Sequence, residues 1–124
     1  MAKVIQSYTE AVALAADQFN AVTLAQNERA KNILACFKPG QFIPVHAPGV
    51  DLSLVILEGS GRLAAGDQEV PFQAGTTAFI AAGEKRGLQA ETQTVAFFVV
   101  TPPPTMADHA GVAAGIQRGS WQPA

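Results

Sequence analysis

Short apolar runs separated by turn signals fill the middle of this chain and limit what it can fold into. Glycine-containing turn pairs recur between residues 39 and 83 at intervals of about ten residues. The apolar runs beside them lie at residues 32–37, 52–57, 78–81 and 95–100. These runs are too short for ordinary helices and carry β-branched and aromatic residues in places. The pattern therefore predicts an all-β sandwich or barrel.

A hairpin and a proline run give two further boundaries. Residues 62–70 predict a hairpin that turns at Gly66-Asp67. The run Pro102-Pro103-Pro104 has no backbone N–H to offer a strand ladder, so we expect the barrel to end there. Beyond it, we expect residues 106–116 to form one loose turn of helix and Trp121 to dock on the body of the protein.

The N-terminal segment has two interpretations. Residues 10–19 predict a short helix with Thr9 as its N-cap, because a threonine oxygen accepts a hydrogen bond from the first helical turn. The same apolar positions also suit an arm that lies across a partner chain. The apolar stretch at residues 11–16 is too short to cross a membrane, so we predict neither a signal peptide nor a transmembrane segment.

The length of the chain fits a single domain. We predict one domain over residues 1–124, with a barrel core at about 31–101 and a tail at 102–124. Cys36 is the only cysteine, which excludes an intramolecular disulfide and a zinc site of several thiolates. A single thiol fits a reducing compartment, so we expect a cytoplasmic protein.

Charge limits the class of partner. The net charge is −2 at pH 7 and the eight Lys and Arg residues are scattered, whereas nucleic-acid binding needs a concentrated basic surface. We therefore predict no nucleic-acid partner, and likewise no membrane partner. Only 15% of the residues are charged, which is few for a whole barrel surface, so we expect a homodimer.

Two glycine-framed motifs give the chain a resemblance to a known family. Gly40 is followed by five residues and then His46, and residues 55–61 read Val-Ile-Leu-Glu-Gly-Ser-Gly. Gly75 and the segment Ile80-Ala81-Ala82-Gly83 follow after the hairpin. In this order and spacing, residues 38–102 resemble the cupin family. The resemblance implies a double-stranded β-helix, or jelly-roll barrel, with a short N-terminal arm and a C-terminal tail.

The same resemblance shows where the metal ligands of the family have been replaced. His46 stands at the first ligand position. Pro48 stands at the second His, Leu52 at the Glu, and Arg86 at the His of the second motif. A single imidazole does not hold a divalent ion against water, and the guanidinium adds a permanent positive charge. We therefore predict no metal and no other cofactor.

The predicted ligand-binding residues are His46, Arg86, Asp51 and Leu52. The resemblance points His46 into the barrel, where an imidazole has a suitable intrinsic pKa for proton transfer near neutral pH. Arg86 has two interpretations. It is either a solvated charge in the loop Glu84-Lys85-Arg86, or a guanidinium in the barrel mouth that pairs with a carboxylate or phosphate.

Asp51 and Leu52 stand next to each other where the family has its metal-binding Glu. Asp51 either turns inward to meet His46 or Arg86, or serves as a turn residue after Pro48-Gly49. Leu52 supplies an apolar wall, which suits a small organic acid better than a phosphate. We therefore predict that His46 and Arg86 lie near one another at the barrel mouth and bind a small carboxylate or similar anion.

Three functions remain open on these observations. The first is metal-free binding of a small organic acid or sugar-like molecule. The second is a cupin enzyme of the isomerase, lyase or dioxygenase type that uses His46 in a non-standard site. Metal-free cupin epimerases also use a Tyr, but the only tyrosine here is Tyr8, far from the motifs. The third is a structural or regulatory domain with a filled barrel.

Overall fold

The computed structural model describes residues 2–122, which form nine β-strands, a short 3-10 helix and one α-helix. The strands are β1 (Asn20–Gln26), β2 (Lys31–Phe37), β3 (Phe42–His46), β4 (Asp51–Glu58), β5 (Gly61–Ala65), β6 (Gln68–Phe72), β7 (Thr77–Ile80), β8 (Arg86–Ala90) and β9 (Thr94–Thr101). The 3-10 helix spans Tyr8–Ala11, and the α-helix, α1, spans Met106–Arg118.

The strands form two antiparallel sheets that enclose the core. One sheet has the order β1-β2-β9-β4-β7 and the other β3-β8-β5-β6. Neighbouring strands often come from distant parts of the chain, as β2 with β9 and β3 with β8 do, which is the connectivity of a jelly roll rather than of a meander. The all-β prediction is confirmed, and the β5–β6 hairpin turns at Gly66-Asp67 as predicted.

Alternation along the strands separates an inner core from an outer cluster. On β4 the inward residues are Leu52, Leu54 and Ile56, each at most 6% exposed. On the outer face of the larger sheet, Cys36 and its neighbours are fully buried beneath Tyr8 and other residues of the N-terminal arm. The arm therefore lies on the sheet of its own chain.

The helix predicted at residues 10–19 is not formed. The 3-10 helix is capped by Ser7 rather than Thr9 and ends before most of this segment. Further along, the carbonyl of Ala13 accepts a hydrogen bond of 2.9 Å from the side chain of Asn20 instead of one from a helical N–H. Packing against the outer cluster and these side-chain bonds outweigh a weak helical propensity. Strand β1 follows, upstream of the barrel core expected from the sequence, and pairs with β2.

The C-terminal helix is much longer than the single loose turn expected at residues 106–116. The side chain of Thr105 accepts a hydrogen bond from the N–H of Asp108, and the Asp108 carboxylate accepts one from the N–H of Thr105. This reciprocal capping box fixes the start of α1, and Gly119 ends it with a left-handed φ of 74°. No helix within residues 2–122 is long and apolar enough to cross a membrane.

Two glycines let α1 pack closely on β3. A Cβ at Gly115 would overlap Pro44, and a Cβ at Gly111 would lie 2.9 Å from the Cβ of His46. After the helix, the carbonyl of Trp121 accepts a hydrogen bond of 2.8 Å from the N–H of a β3 residue, and its ring is buried, so Trp121 docks as predicted. The C-terminal segment thus covers the end of the barrel at which His46 lies.

Candidate functional site

A cavity of about 180 Å³ lies inside the barrel, next to α1. Both sheets contribute to its wall, with Leu52 and Leu54 from β4, Leu63 from β5, and Phe98 from β9. Most of the wall is aliphatic or aromatic. The polar side chains that line it belong to His46, Arg86, Asp108 and His109. The cavity is therefore an apolar chamber with a few polar groups at one end, as ligand sites commonly are.

Arg86 faces the interior because of its position on β8. Leu88 and Ala90 belong to the inner core, so the alternation of the strand places Arg86 on the same face. Arg86 is only 5% exposed, whereas Lys85 before it is exposed. The interpretation of Arg86 as a solvated surface charge is therefore wrong, and the interior position is confirmed.

The guanidinium of Arg86 is only partly satisfied by the protein. Its Nη2 donates to the carbonyl of Ala81 at 3.0 Å and to that of Ile80 at 3.4 Å, at the end of β7 in the opposite sheet. Its Nε is buried without a hydrogen-bond partner. Within residues 2–122, no carboxylate lies within salt-bridge distance of Arg86. Burial lowers the pKa of the guanidinium, and the negative charges of Asp51, Glu84 and Asp108 oppose that shift.

A bulge in β3 brings His46 to the same cavity. Ile43 pairs with Leu88 and His46 pairs with Arg86, so three steps along β3 match two steps along β8. Without the extra residue, Ile43 and His46 would face opposite sides of the sheet. Both line the cavity because of it. The prediction that His46 and Arg86 lie near one another is confirmed by this direct pairing.

The ring of His46 has a defined hydrogen-bonding state. Its Nδ1 lies 2.7 Å from the carbonyl oxygen of Pro44, so this nitrogen carries a proton and donates it. Burial lowers the pKa of His46, and the charge of Arg86 lowers it further, while the bond to Pro44 opposes the shift. In the neutral ring, Nε2 then carries a lone pair and no hydrogen. A neutral His46 can accept a hydrogen bond at Nε2 but cannot donate one there.

The two neighbouring residues on β4 have different roles. Leu52 is buried and lines the cavity, as expected of an apolar wall. Asp51 does not line the cavity. Its carboxylate accepts a hydrogen bond of 2.8 Å from the backbone N–H of Ala82 and so ties the start of β4 to the loop after β7. Because successive residues of a strand face opposite sides, only one of this pair can point inward.

The start of α1 contributes residues that the sequence analysis did not assign to the site. Asp108, His109 and Val112 line the cavity, together with Pro104 before the helix. Asp108 also accepts a hydrogen bond of 2.9 Å from the N–H of Gly49, and the hydrogen bonds from Thr105 and Gly49 lower the pKa of its carboxyl. The only signal for these residues in the sequence was the Thr105–Asp108 capping box, which marks the start of a helix. Their position at the cavity depends on how α1 docks on the barrel.

Several solved structures resemble this one over most of its length. An RmlC-like cupin protein from Desulfovibrio desulfuricans is 27% identical, with a TM-score of 0.73 over 83% of this chain and 99% of that protein. A protein from Thermus thermophilus is 26% identical, with a TM-score of 0.76 over 81% of this chain and 98% of that protein. The chain belongs to the cupin superfamily.

A more distant solved structure has the same architecture. A Klebsiella pneumoniae protein with a double-stranded β-helix domain is 20% identical, with a TM-score of 0.72 over 79% of this chain and 84% of that protein. The predicted double-stranded β-helix is therefore confirmed. No protein-family model matches the sequence, and no curated protein sequence matches it either.

The donor atoms in the cavity of this cupin do not fit a metal ion. The positions that the family resemblance assigns to metal ligands contain one imidazole, from His46, and otherwise Pro48, Leu52 and Arg86. In the part of the chain that the structure describes, no three His, Cys, Asp or Glu side chains converge on a common point. The buried guanidinium also repels a cation. The chemistry of this site therefore has to be sought in its own side chains.

Proposed function

We propose that this protein binds a small organic acid inside its barrel, and that Arg86 receives the carboxylate without a metal ion. The observation that carries the proposal is the buried guanidinium of Arg86, which has an unpartnered Nε and no carboxylate partner within residues 2–122. It lies in the wall of a cavity of about 180 Å³. The side chain that carries this unpartnered Nε therefore forms part of the wall of the cavity.

The energetics of a buried cation favour an anionic ligand. The two carbonyl oxygens that Arg86 contacts supply partial negative charge but do not neutralise it. A buried charge without a counter-ion is strongly unfavourable. A carboxylate would accept charged hydrogen bonds from guanidinium N–H groups that the carbonyls leave free, and each such bond contributes about 1.5–3 kcal/mol.

A purely structural role for Arg86 explains less of the geometry. In that role, the guanidinium only ties β8 to the end of β7. The two carbonyl bonds use a single nitrogen, Nη2, and leave the buried Nε without any partner. A filled barrel would also have no cavity beside the guanidinium. Both features are accounted for when a ligand occupies the chamber.

His46 is proposed to act as a secondary contact whose role depends on its charge. The neutral ring donates from Nδ1 to Pro44 and presents a lone pair at Nε2. It therefore favours a ligand group that donates a hydrogen bond, and it donates to a carboxylate only when protonated. Arg86 supplies the donors in either state. The cupin enzyme alternative has less support, because Tyr8 lies in the outer cluster and its hydroxyl bonds to Glu58 rather than lining the cavity.

The test compares a carboxylate with its neutral isostere. We expect benzoate to raise the melting temperature of the wild-type protein and benzamide to leave it unchanged, because only the former carries the charge that Arg86 needs. Arg86→Gln keeps a hydrogen-bond donor but removes the charge. Loss of one charged hydrogen bond of about 1.5–3 kcal/mol corresponds to benzoate binding that is roughly tenfold to a hundredfold weaker.

Arg62 provides the matched control for this experiment. It is a partly exposed arginine on β5 that contacts Glu69 at 3.7 Å, outside the cavity wall. Arg62→Gln removes the same charge from the chain but should leave benzoate stabilisation intact. Equal stabilisation of the wild type and of Arg86→Gln, or none in the wild type with any small acid, would refute the proposal.

We also propose that the chain forms a homodimer. Phe79 is 64% exposed on β7, which is an edge strand of the larger sheet, and Val4 is 79% exposed near the N-terminus. Large apolar side chains at a sheet edge are commonly covered by another chain. Light scattering should give twice the chain mass at micromolar concentration, and Phe79→Glu should lower it. A wild-type mass of one chain would contradict the proposal.

A further inference from the structure

We infer that the acid held by Arg86 is a small monocarboxylate with an apolar body, such as an aromatic acid or a short branched aliphatic acid. This inference depends on the proposed binding at Arg86 and adds the class of ligand. It also separates the two classes that the sequence left open, because a sugar-like molecule would need different walls. Three features of the cavity carry it: the chemistry of its wall, its size, and the charges at its end.

The wall beyond the polar end offers no hydrogen-bonding side chain. Leu54, Leu63, Leu88, Phe98 and Val100 surround the space there, together with other apolar residues. The backbone groups of these strands pair in the sheet ladders and are not free to bind a ligand. A hydroxyl group pushed into this region would lose its hydrogen bonds to water without replacement. Sugars and polyhydroxy acids are therefore disfavoured.

The volume of the cavity limits the size of the acid. A cavity of roughly 150 Å³ lined by Leu, Ile and Phe side chains accommodates benzene. The chamber here has about 180 Å³, which leaves room for a ring or a short branched chain and its carboxylate. Ala35 forms a fully buried part of the wall, so a larger side chain at this position would reduce the space. A long-chain fatty acid does not fit.

The charges at the polar end favour a single carboxylate. Arg86 is the one Lys or Arg side chain among residues 2–122 that lines the cavity. Asp108 lines the same space, and its hydrogen bonds with Thr105 and Gly49 stabilise the ionised form. A second carboxylate, or a phosphate, would therefore meet no second cation and would be repelled by Asp108.

The experiment is calorimetric titration of the wild-type protein with matched acids. Benzoate and hexanoate test the apolar body, 3,5-dihydroxybenzoate adds hydroxyl groups, adipate adds a second carboxylate, and decanoate tests size. We expect benzoate and hexanoate to bind at least tenfold more tightly than the other three. Acetate should bind weakly, because it fills little of the apolar space.

A cavity-filling variant tests where the acid lies. Ala35→Leu should weaken benzoate binding at least tenfold, whereas Ala74→Leu, on an exposed turn, should not change it. If Ala35→Leu does not fold, the size series on the wild type, from acetate to decanoate, still tests the limit. Unchanged benzoate binding in a folded Ala35→Leu would overturn the inference.

The outcomes separate this inference from the proposed function. If adipate or 3,5-dihydroxybenzoate binds as tightly as benzoate, and Arg86→Gln abolishes that binding, the inference about the apolar body is wrong while the proposed function stands. If no acid in the series binds, both are wrong. Selective binding of benzoate and hexanoate that is lost in Arg86→Gln supports both.

Discussion

The two ends of the barrel interior differ in how completely they are filled. At one end, Phe37, Ile56 and Ala96 are at most 1% exposed and lie outside the cavity wall. At the other, Leu52 lines a cavity next to a buried and incompletely bonded Arg86. Strands β2, β4 and β9 run through both ends. The difference therefore lies in the side chains and not in the framework.

We call these two ends the filled end and the hollow end. Along the same strands, residues of the filled end serve stability and residues of the hollow end serve function. Inward residues of β8 change from Ala90 in the inner core to Arg86 at the hollow end. Close packing at the filled end stabilises the barrel. At the hollow end, a chamber and an unpaired cation both reduce stability, as binding sites commonly do. The first two comparisons below each contrast a residue outside the cavity wall with a residue that lines it, and the third concerns the pH dependence of His46.

The largest expected effect comes from truncating large inward residues. Ile56→Ala should lower the free energy of unfolding by about 4 kcal/mol, because it opens a new cavity in a filled region. Leu52→Ala only enlarges an existing chamber and should cost about 2 kcal/mol, near the lower limit for such changes. Chemical denaturation measures both. Equal losses would show that the two ends are packed equally well.

Enlarging small inward residues should have a smaller effect on stability, again with the greater loss outside the cavity wall. Ala35 and Ala96 are paired on β2 and β9 and are both fully buried, but only Ala35 lines the cavity. Ala96→Leu should cost about 1–3 kcal/mol through overpacking, whereas Ala35→Leu should cost less than about 1 kcal/mol. Denaturation midpoints provide the measurement. A larger loss for Ala35→Leu than for Ala96→Leu would argue that the chamber is not open to new atoms.

The smallest expected effect is a pH dependence at the hollow end. Burial and Arg86 hold the pKa of His46 below its usual 6.5, so the unfolded chain gains a proton that the folded site still excludes. Stability from His46 is thus complete above pH 6.5 and decreases as the pH falls toward the folded pKa. His46→Gln should make the loss of stability between pH 6.5 and 5 less steep. An unchanged slope in His46→Gln would contradict this assignment of the pH dependence.

The fold could be predicted from the sequence because its determinants are local. Gly40, Gly75 and Gly83 all adopt positive φ, and each occupies a turn of the two motifs. Such glycines set where strands end, and the short apolar runs between them fit strands and not helices. The helix prediction for the N-terminal segment was wrong for the opposite reason, because the conformation of this segment depends on long-range packing against the outer cluster.

The site could be predicted only in part, because the direction of a side chain depends on strand parity. A shift of one residue in β8 would have exposed Arg86 and buried Lys85, and the sequence does not fix that register. On β4, the same alternation of inward and outward residues leaves Asp51 outside the cavity wall and places Leu52 in it. The contribution of Asp108 depends on how α1 docks over β3, which involves residues far apart in the chain.

The most direct test of the central claim is the free energy of unfolding of Arg86→Met measured with and without benzoate. If Arg86 is an unpaired cation kept for a ligand, its replacement by an apolar side chain should stabilise the ligand-free protein by about 1–3 kcal/mol and abolish stabilisation by benzoate. If Arg86 instead serves only to tie β8 to β7, Arg86→Met will be less stable than the wild type, and benzoate will affect both proteins equally. That second result would contradict the account.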